Sequence, residues 1–196
     1  MSSEVKQEVY ESLQMDSDVQ ATTITSLENQ CSSLKNTNND MLKKLDDLEQ
    51  YSRCNCLLLH GLDESHADSK GTSVDRLNHL LPDSHLQSSD IDPAHRIGKP
   101  NLNHNVSHCG QRRSRPVIIK FISYAKREAA FRTKRLLKGS GLSLSESLTP
   151  TRMSLLKAAQ DSPKTISAWT IDGRVTCLLA NNRKVTVTSI QDLDKL

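Results

Sequence analysis

Aromatic side chains are scarce in this chain: one Trp, three Tyr and two Phe among 196 residues. Such poverty argues against an aromatic-lined ligand pocket and leaves little material for stacking nucleic-acid bases. Long apolar runs are missing as well. None approaches the roughly 18 residues of a membrane span, so no membrane partner is expected. The opening decapeptide MSSEVKQEVY is polar and acidic and has no apolar core of a secretion signal. The five cysteines (Cys31, Cys54, Cys56, Cys109, Cys177) are odd in number and irregularly spaced. They read as reduced thiols in a cytoplasmic or nuclear protein. Enzymatic signatures are also lacking: there is no phosphate-cradling glycine loop, nucleophile elbow, HExxH or CxxC pair. His104, His108 and Cys109 share a polar loop but have no second cluster at zinc spacing. Asp92 and His95 can be drawn as carboxylate and base, yet a structural histidine at a strand end fits them better. No enzyme, cofactor, metal or small-molecule substrate is expected.

Proline and glycine are absent from residues 1–53, and what stands there repeats every seven residues. With a positions at Tyr10, Ser17, Ile24, Cys31, Asn38 and Leu45, the d positions are Leu13, Gln20, Leu27, Leu34, Met41 and Leu48. Two apolar positions in seven, without a broader apolar face, define a coiled coil. Asn38 at an a position fixes register at some cost in stability. Lys44 falls at g and Glu49 at e, where they can pair between neighbouring chains. The basic–apolar–x–x–apolar–Glu spacing favours a trimer over a dimer, with Lys44 where that pattern prefers arginine. The expected oligomerisation residues are Ile24, Leu27, Leu34, Asn38, Met41, Lys44, Leu45, Leu48 and Glu49.

Charge is sorted along the chain. Residues 1–53 are net −5, residues 54–94 again −5, residues 95–139 carry twelve basic side chains and one acid, and residues 140–196 are net +2. A modest total of +3 therefore hides a strongly basic segment, which points to a polyanionic partner.

The same segment lies in the second of three regions. From 54 to 148 the pattern reads as strand NCLLLHGL, helix TSVDRLNHLLP with Thr72 or Ser73 as N-cap, strand DIDPAHRIGKP, a polar loop, strand RPVIIKFIS, a helix over 125–138 and strand LSLSESL. That order, β-α-β-β-α-β, is the RRM-like or ferredoxin-like arrangement of an α+β protein. On a wheel of the 125–138 helix, Ala125, Ala129, Ala130, Thr133, Leu136 and Leu137 share one arc. Arg127, Arg132, Lys134, Arg135 and Lys138 share the other and read as an exposed basic face. Phe131 lies among them. Residues 149–196 read as a small C-terminal α+β domain: a Pro-started helix, then strands TISAWTI, RVTCLLA and KVTVTSI with turns at Asp172-Gly173 and Asn181-Asn182.

RNA-recognition modules stack bases on aromatics of the third strand. Here that strand is RPVIIKF, with Val117, Ile119 and Phe121 on one face and Ile118, Lys120 and Ile122 on the other. Contact with nucleic acid would be mainly electrostatic, hence sequence-tolerant and salt-sensitive. The missing aromatics also suit a scaffold or adaptor whose domain binds protein.

Four stretches in order, LEQYSRCNCLLLHGL, IDPAHRIGKP, RPVIIKFISYAKREAAFRTKRLLKGSGLSLSESLT and AWTIDGRV, resemble the first-open-reading-frame protein of LINE-type non-LTR retrotransposons. The likeness is collinear over about residues 45–175. It implies a trimeric coiled-coil protein with an RRM-like domain and a small C-terminal domain. It further implies binding to single-stranded RNA and DNA, packaging of the element's transcript in a ribonucleoprotein, and nucleic-acid chaperone behaviour. By that resemblance Arg53, Arg96, Arg112, Arg113, Arg115, Lys120 and Arg152 are binding residues. The basic segment adds Lys99, Arg127, Lys134, Arg135 and Lys138. The chain departs from the family at Cys54 and Leu58, where arginine is common, and at Ser147, where an acid is common. A retrotransposon-derived copy that has lost activity would show departures of this kind.

Overall fold

The computed structural model describes residues 3–64, 70–80, 85–99 and 114–196, and the metal-loop candidates His104, His108 and Cys109 lie outside them. The chain divides into two units, Met1–Asp47 and Leu48–Leu196. Helix α1, Ser3–Ser52, supplies all of the described first unit. Free of helix breakers, it also satisfies several polar side chains on itself, as the hydroxyls of Thr23, Thr25, Ser32 and Thr37 donate to carbonyls four residues back. Its apolar seam residues from Tyr10 to Leu48 stand exposed on the single chain. A long helix with such a stripe is compatible with a coiled coil.

The second unit is α+β. Strand β1 (Cys56–His60) is followed by α2 (Lys70–Leu80), a 3₁₀ turn at Ser88–Asp90, β2 (Ile91–Arg96), β3 (Val117–Phe121), α3 (Tyr124–Arg132), a second 3₁₀ turn at Thr133–Leu137, and β4 (Ser143–Glu146). The four strands form one antiparallel sheet in the order β2-β3-β1-β4. Alternation sends Leu57, Leu59, Val117, Ile119, Phe121 and Leu144 to one face, where they pack with Val74 and Leu77 of α2 and Ala130 of α3. Pro93 sits in β2, an edge strand whose register shifts between Ile91 and Ala94. Proline is tolerated at an edge strand and at such an irregularity, positions to which it is confined within sheets.

Four local expectations need correction. Helix α2 begins at Lys70, so Thr72 and Ser73 lie inside it rather than at its cap. The expected 125–138 helix is cut after Arg132 and continues as a 3₁₀ turn. Tightening to three residues per turn rotates the later side chains, leaving Leu136 exposed and Leu137 buried. The wheel also misplaced the early residues: Ala125 and Ala129 are exposed, whereas Arg127 is buried. Finally KVTVTSI stops being a strand at Val187, because Ser189 and Asp192 form a capping box that starts a short helix at Ile190.

Gly61 ends β1 with φ +85°, and a β-carbon there would stand 2.0 Å from the carbonyl oxygen of Gly141. Both the left-handed backbone and the close approach demand glycine. Gly61→Ala is expected to cost about 2 kcal/mol or more, read as a lower urea midpoint, since the left-handed conformation alone costs about 1–2 kcal/mol.

The C-terminal part comprises α4 (Pro150–Asp161), β5 (Thr165–Ile171), β6 (Arg174–Leu179), β7 (Lys184–Val187) and α5 (Ile190–Asp194). Thr149 caps α4 through its hydroxyl, and Pro150 takes the first helical position. The strands form an antiparallel sheet in the order β5-β6-β7. Asp172 and Gly173 both have positive φ, as the tight two-residue hairpin between β5 and β6 requires. Leu155, Ala159 and Leu193 close over Val175, Cys177 and Val187 on one face of this second sheet.

Candidate nucleic-acid interface

The face of the first sheet turned away from its helices is set by strand register. One row runs His95–Ile118–Leu58–Ser145, flanked by Lys120 opposite Cys56 and by His60 opposite Ser143. Leu58 is buried by its neighbours, Ile118 half-buried and Lys120 exposed. His60 Nε2 lies 2.8 Å from the Ser145 hydroxyl, and burial holds the imidazole below its ordinary pKa of 6.5. Burial likewise pushes the Cys56 thiol up, with Lys120 opposing. These residues make an aliphatic centre with a polar rim and include no Phe, Tyr or Trp.

The twelve candidate cations sort by what holds them. Lys99, Lys120, Arg135 and Lys138 are exposed. Lys120 meets Asp92 at 3.1 Å, with both side chains about half exposed. Such a pair contributes about 0–1 kcal/mol and yields readily to a phosphate. Arg135 and Lys138 follow α3, which packs on the opposite face of the sheet, so the exposed cations do not converge on one surface. Arg112 and Arg113 lie outside the described residues.

The others are engaged in the fold. Arg96 is buried, donating to the carbonyls of Leu62, Asp63 and Arg115 at 2.6–2.9 Å, and so straps the β1–α2 connection to the start of β3. Arg115 is bound by Glu64 through both its backbone N–H and its guanidinium. Those bonds hold the Glu64 carboxyl below the usual range. Lys134 sits with its ammonium 3.6 Å from the centre of the Phe131 ring, and burial lowers its pKa. Arg127, expected on the exposed basic face, is 2% exposed. It donates to Glu146 and to Glu128, and its guanidinium carbon stands 4.8 Å from the Phe131 ring centre. Phe131 is thus a plate between two cations, a role its position in the sequence did not disclose.

Arg127 belongs to a junction that sequence reasoning missed. Glu146 accepts from Arg127 with one oxygen and from the Gly173 N–H with the other. Arg152 donates to the Gly173 carbonyl at 3.1 Å, and Tyr124 donates its hydroxyl to Asp172 at 2.5 Å. That bond raises the Tyr124 pKa to about 12. Gln50, at the end of α1, completes the knot: its amide donates to the Ser147 carbonyl and accepts from the Thr149 N–H, both at 3.0 Å. Beside it Arg53 pairs with Glu49 and reaches the Ser147 hydroxyl. Glu49, expected to pair between chains, thereby has a partner within its own chain, just past the end of α1. The signal available in the sequence was an isolated acid, Glu146, in an otherwise uncharged stretch from 139 to 151; nothing in it named Arg127.

Among the described residues no helix is long and apolar enough to cross a membrane, and no three His, Cys, Asp or Glu side chains cluster as metal ligands. No protein-family model matches the chain, and no curated protein is significantly similar to it in sequence.

Proposed function

We propose that this protein binds single-stranded RNA and DNA without sequence preference, as a homotrimer that packages the transcript of a LINE-type retrotransposon and acts as a nucleic-acid chaperone in the cytoplasm or nucleus. The observation that carries this reading is the concentration of twelve basic residues and one acid between 95 and 139, of which Lys99, Lys120, Arg132, Arg135 and Lys138 stand exposed. Antiparallel order β2-β3-β1-β4 with two helices on one face supports an RRM-like domain. The exposed seam of α1 supports self-association, because an isolated helix gains little stability without a packed face. With an aliphatic rather than aromatic row on the sheet face away from the helices, phosphate contacts dominate and the affinity depends on salt.

Alanine at Lys99, Arg112, Arg113, Lys120, Arg135 and Lys138 is expected to weaken binding of a 30-nucleotide RNA while leaving the circular dichroism spectrum unchanged. The salt slope should flatten by about 0.7 for each phosphate no longer neutralised. The aliphatic row of Leu58 and Ile118 favours a second reading, an adaptor that binds protein through this face. Unchanged RNA affinity in the six-alanine variant would turn the assignment to that reading.

A further inference from the structure

We infer that β5 is a self-association edge, on which the β5 strand of a second copy pairs antiparallel about a two-fold axis at Trp169. The inference does not depend on nucleic-acid binding and goes beyond it.

Among the described residues the two sheets have four edge strands: β2, β4, β5 and β7. An unpaired edge invites pairing with another chain unless it is short, charged, interrupted by proline or irregular. Strand β2 carries Asp92, Pro93 and a register shift. Strands β4 and β7 are four residues long and contain Glu146 and Lys184 respectively. Strand β5, TISAWTI, is the longest of the described strands at seven residues and has neither charge nor proline. Ile166 and Ile171 on it are 62% and 54% exposed. Arg174 of β6 stands beside Ile171 and Lys184 lies on β7, so neither cation is on the edge strand itself.

The geometry selects a second copy and a register. Gln160 donates its amide to the Ala168 carbonyl at 3.4 Å, so Ala168 turns its backbone groups away from β6. In an antiparallel strand such groups alternate, and Thr170 presents its own to the same side. The register shift between Thr165 and Ser167 leaves Ser167–Ile171 as the regular stretch, with its midpoint at Trp169. Two copies related by a two-fold axis there set Ala168 opposite Thr170, so that their outward N–H and C=O groups bond reciprocally. On the outer face Trp169 then meets its counterpart, and Ser167 meets Ile171. No like charges oppose one another. The Gln160 amide of α4 must move aside, and its long hydrogen bond makes that easy. The result is one continuous antiparallel sheet across two copies.

The test is sedimentation velocity of the full chain, treated with nuclease and run at high salt. The wild type should show concentration-dependent species heavier than the oligomer that α1 sets, the smallest of them of twice its mass. S167K/I171K places lysine opposite lysine at both ends of the pairing and should abolish the doubled species. S167E/I171K places Glu opposite Lys and should restore it. A wild type that sediments like S167K/I171K at every concentration overturns the inference, as does a folded S167E/I171K that fails to double. Should the lysine variant lose its circular dichroism signal, Trp169→Cys decides instead, in a chain with Cys31, Cys54 and Cys109 replaced by serine. Directly opposed residues of a non-hydrogen-bonded pair lie about 4.5 Å apart at Cα, within disulfide reach. Oxidation with diamide should then give a covalent pair of chains on a non-reducing gel, and its absence rejects the register.

Discussion

Arg127→Ala is expected to destabilise the Leu48–Leu196 unit by about 3–5 kcal/mol, the usual cost of removing one member of a buried ion pair. Glu146 is 3% exposed, and its strongest counter-charge would vanish while its carboxylate stayed out of water. The damage should spread, because Glu146 also accepts the Gly173 N–H and the same hairpin is held by Arg152 and Tyr124. Chemical denaturation of Arg127→Ala, Glu146→Ala and an Arg127→Met/Glu146→Leu double variant separates the causes. Each single change should be severe, and the apolar pair much milder, since buried ion pairs contribute little net stability over well-packed apolar groups. A single variant within about 0.5 kcal/mol of wild type, the range of ordinary surface changes, would mean the pair is not buried as described.

The second large effect concerns α1. Leu27→Lys/Leu34→Lys puts charge at two d positions whose side chains are exposed on one chain and would be enclosed in an oligomer. Loss of the oligomer set by α1 is expected by sedimentation at concentrations too low for β5 pairing, with the second unit's thermal transition unchanged. RNA affinity should then drop by about 10²–10⁴-fold, the gain that linked binding modules typically provide when one strand can reach them all. Equal affinity for the monomeric variant would remove avidity from the proposal while leaving the binding surface intact.

Legibility followed the range of the interactions. Local signals are displayed directly: the unbroken helix in the absence of Pro and Gly, the β5–β6 hairpin in Asp172-Gly173, and the two alternating faces of β3, although only the structure shows that Val117, Ile119 and Phe121 are the buried set. Those patterns are set by two- and 3.6-residue periods and by turn chemistry, which a sequence displays directly. Interactions between distant residues were not legible. A wheel treats every arginine as solvent-seeking, so Arg127 was placed outside; Glu146, nineteen positions on, reverses that preference by supplying a buried counter-charge. Arg96 is a binding residue only by the resemblance, and nothing local in the sequence shows that three backbone carbonyls await its guanidinium. Gln50 and its clamp on Ser147 and Thr149 span nearly a hundred residues and leave no local trace. What remains of the basic segment after these subtractions is smaller than its composition suggests, and it is the part on which the functional proposal rests.

That proposal is tested most directly by fluorescence anisotropy of the full chain with a labelled 30-nucleotide single-stranded RNA across a salt series. The expected result is tight binding, indifferent to sequence, whose logarithm falls linearly with log salt by about 0.7 for each phosphate neutralised. Absence of binding even at low salt, or binding that ignores salt, would contradict the assignment of the basic segment to nucleic acid.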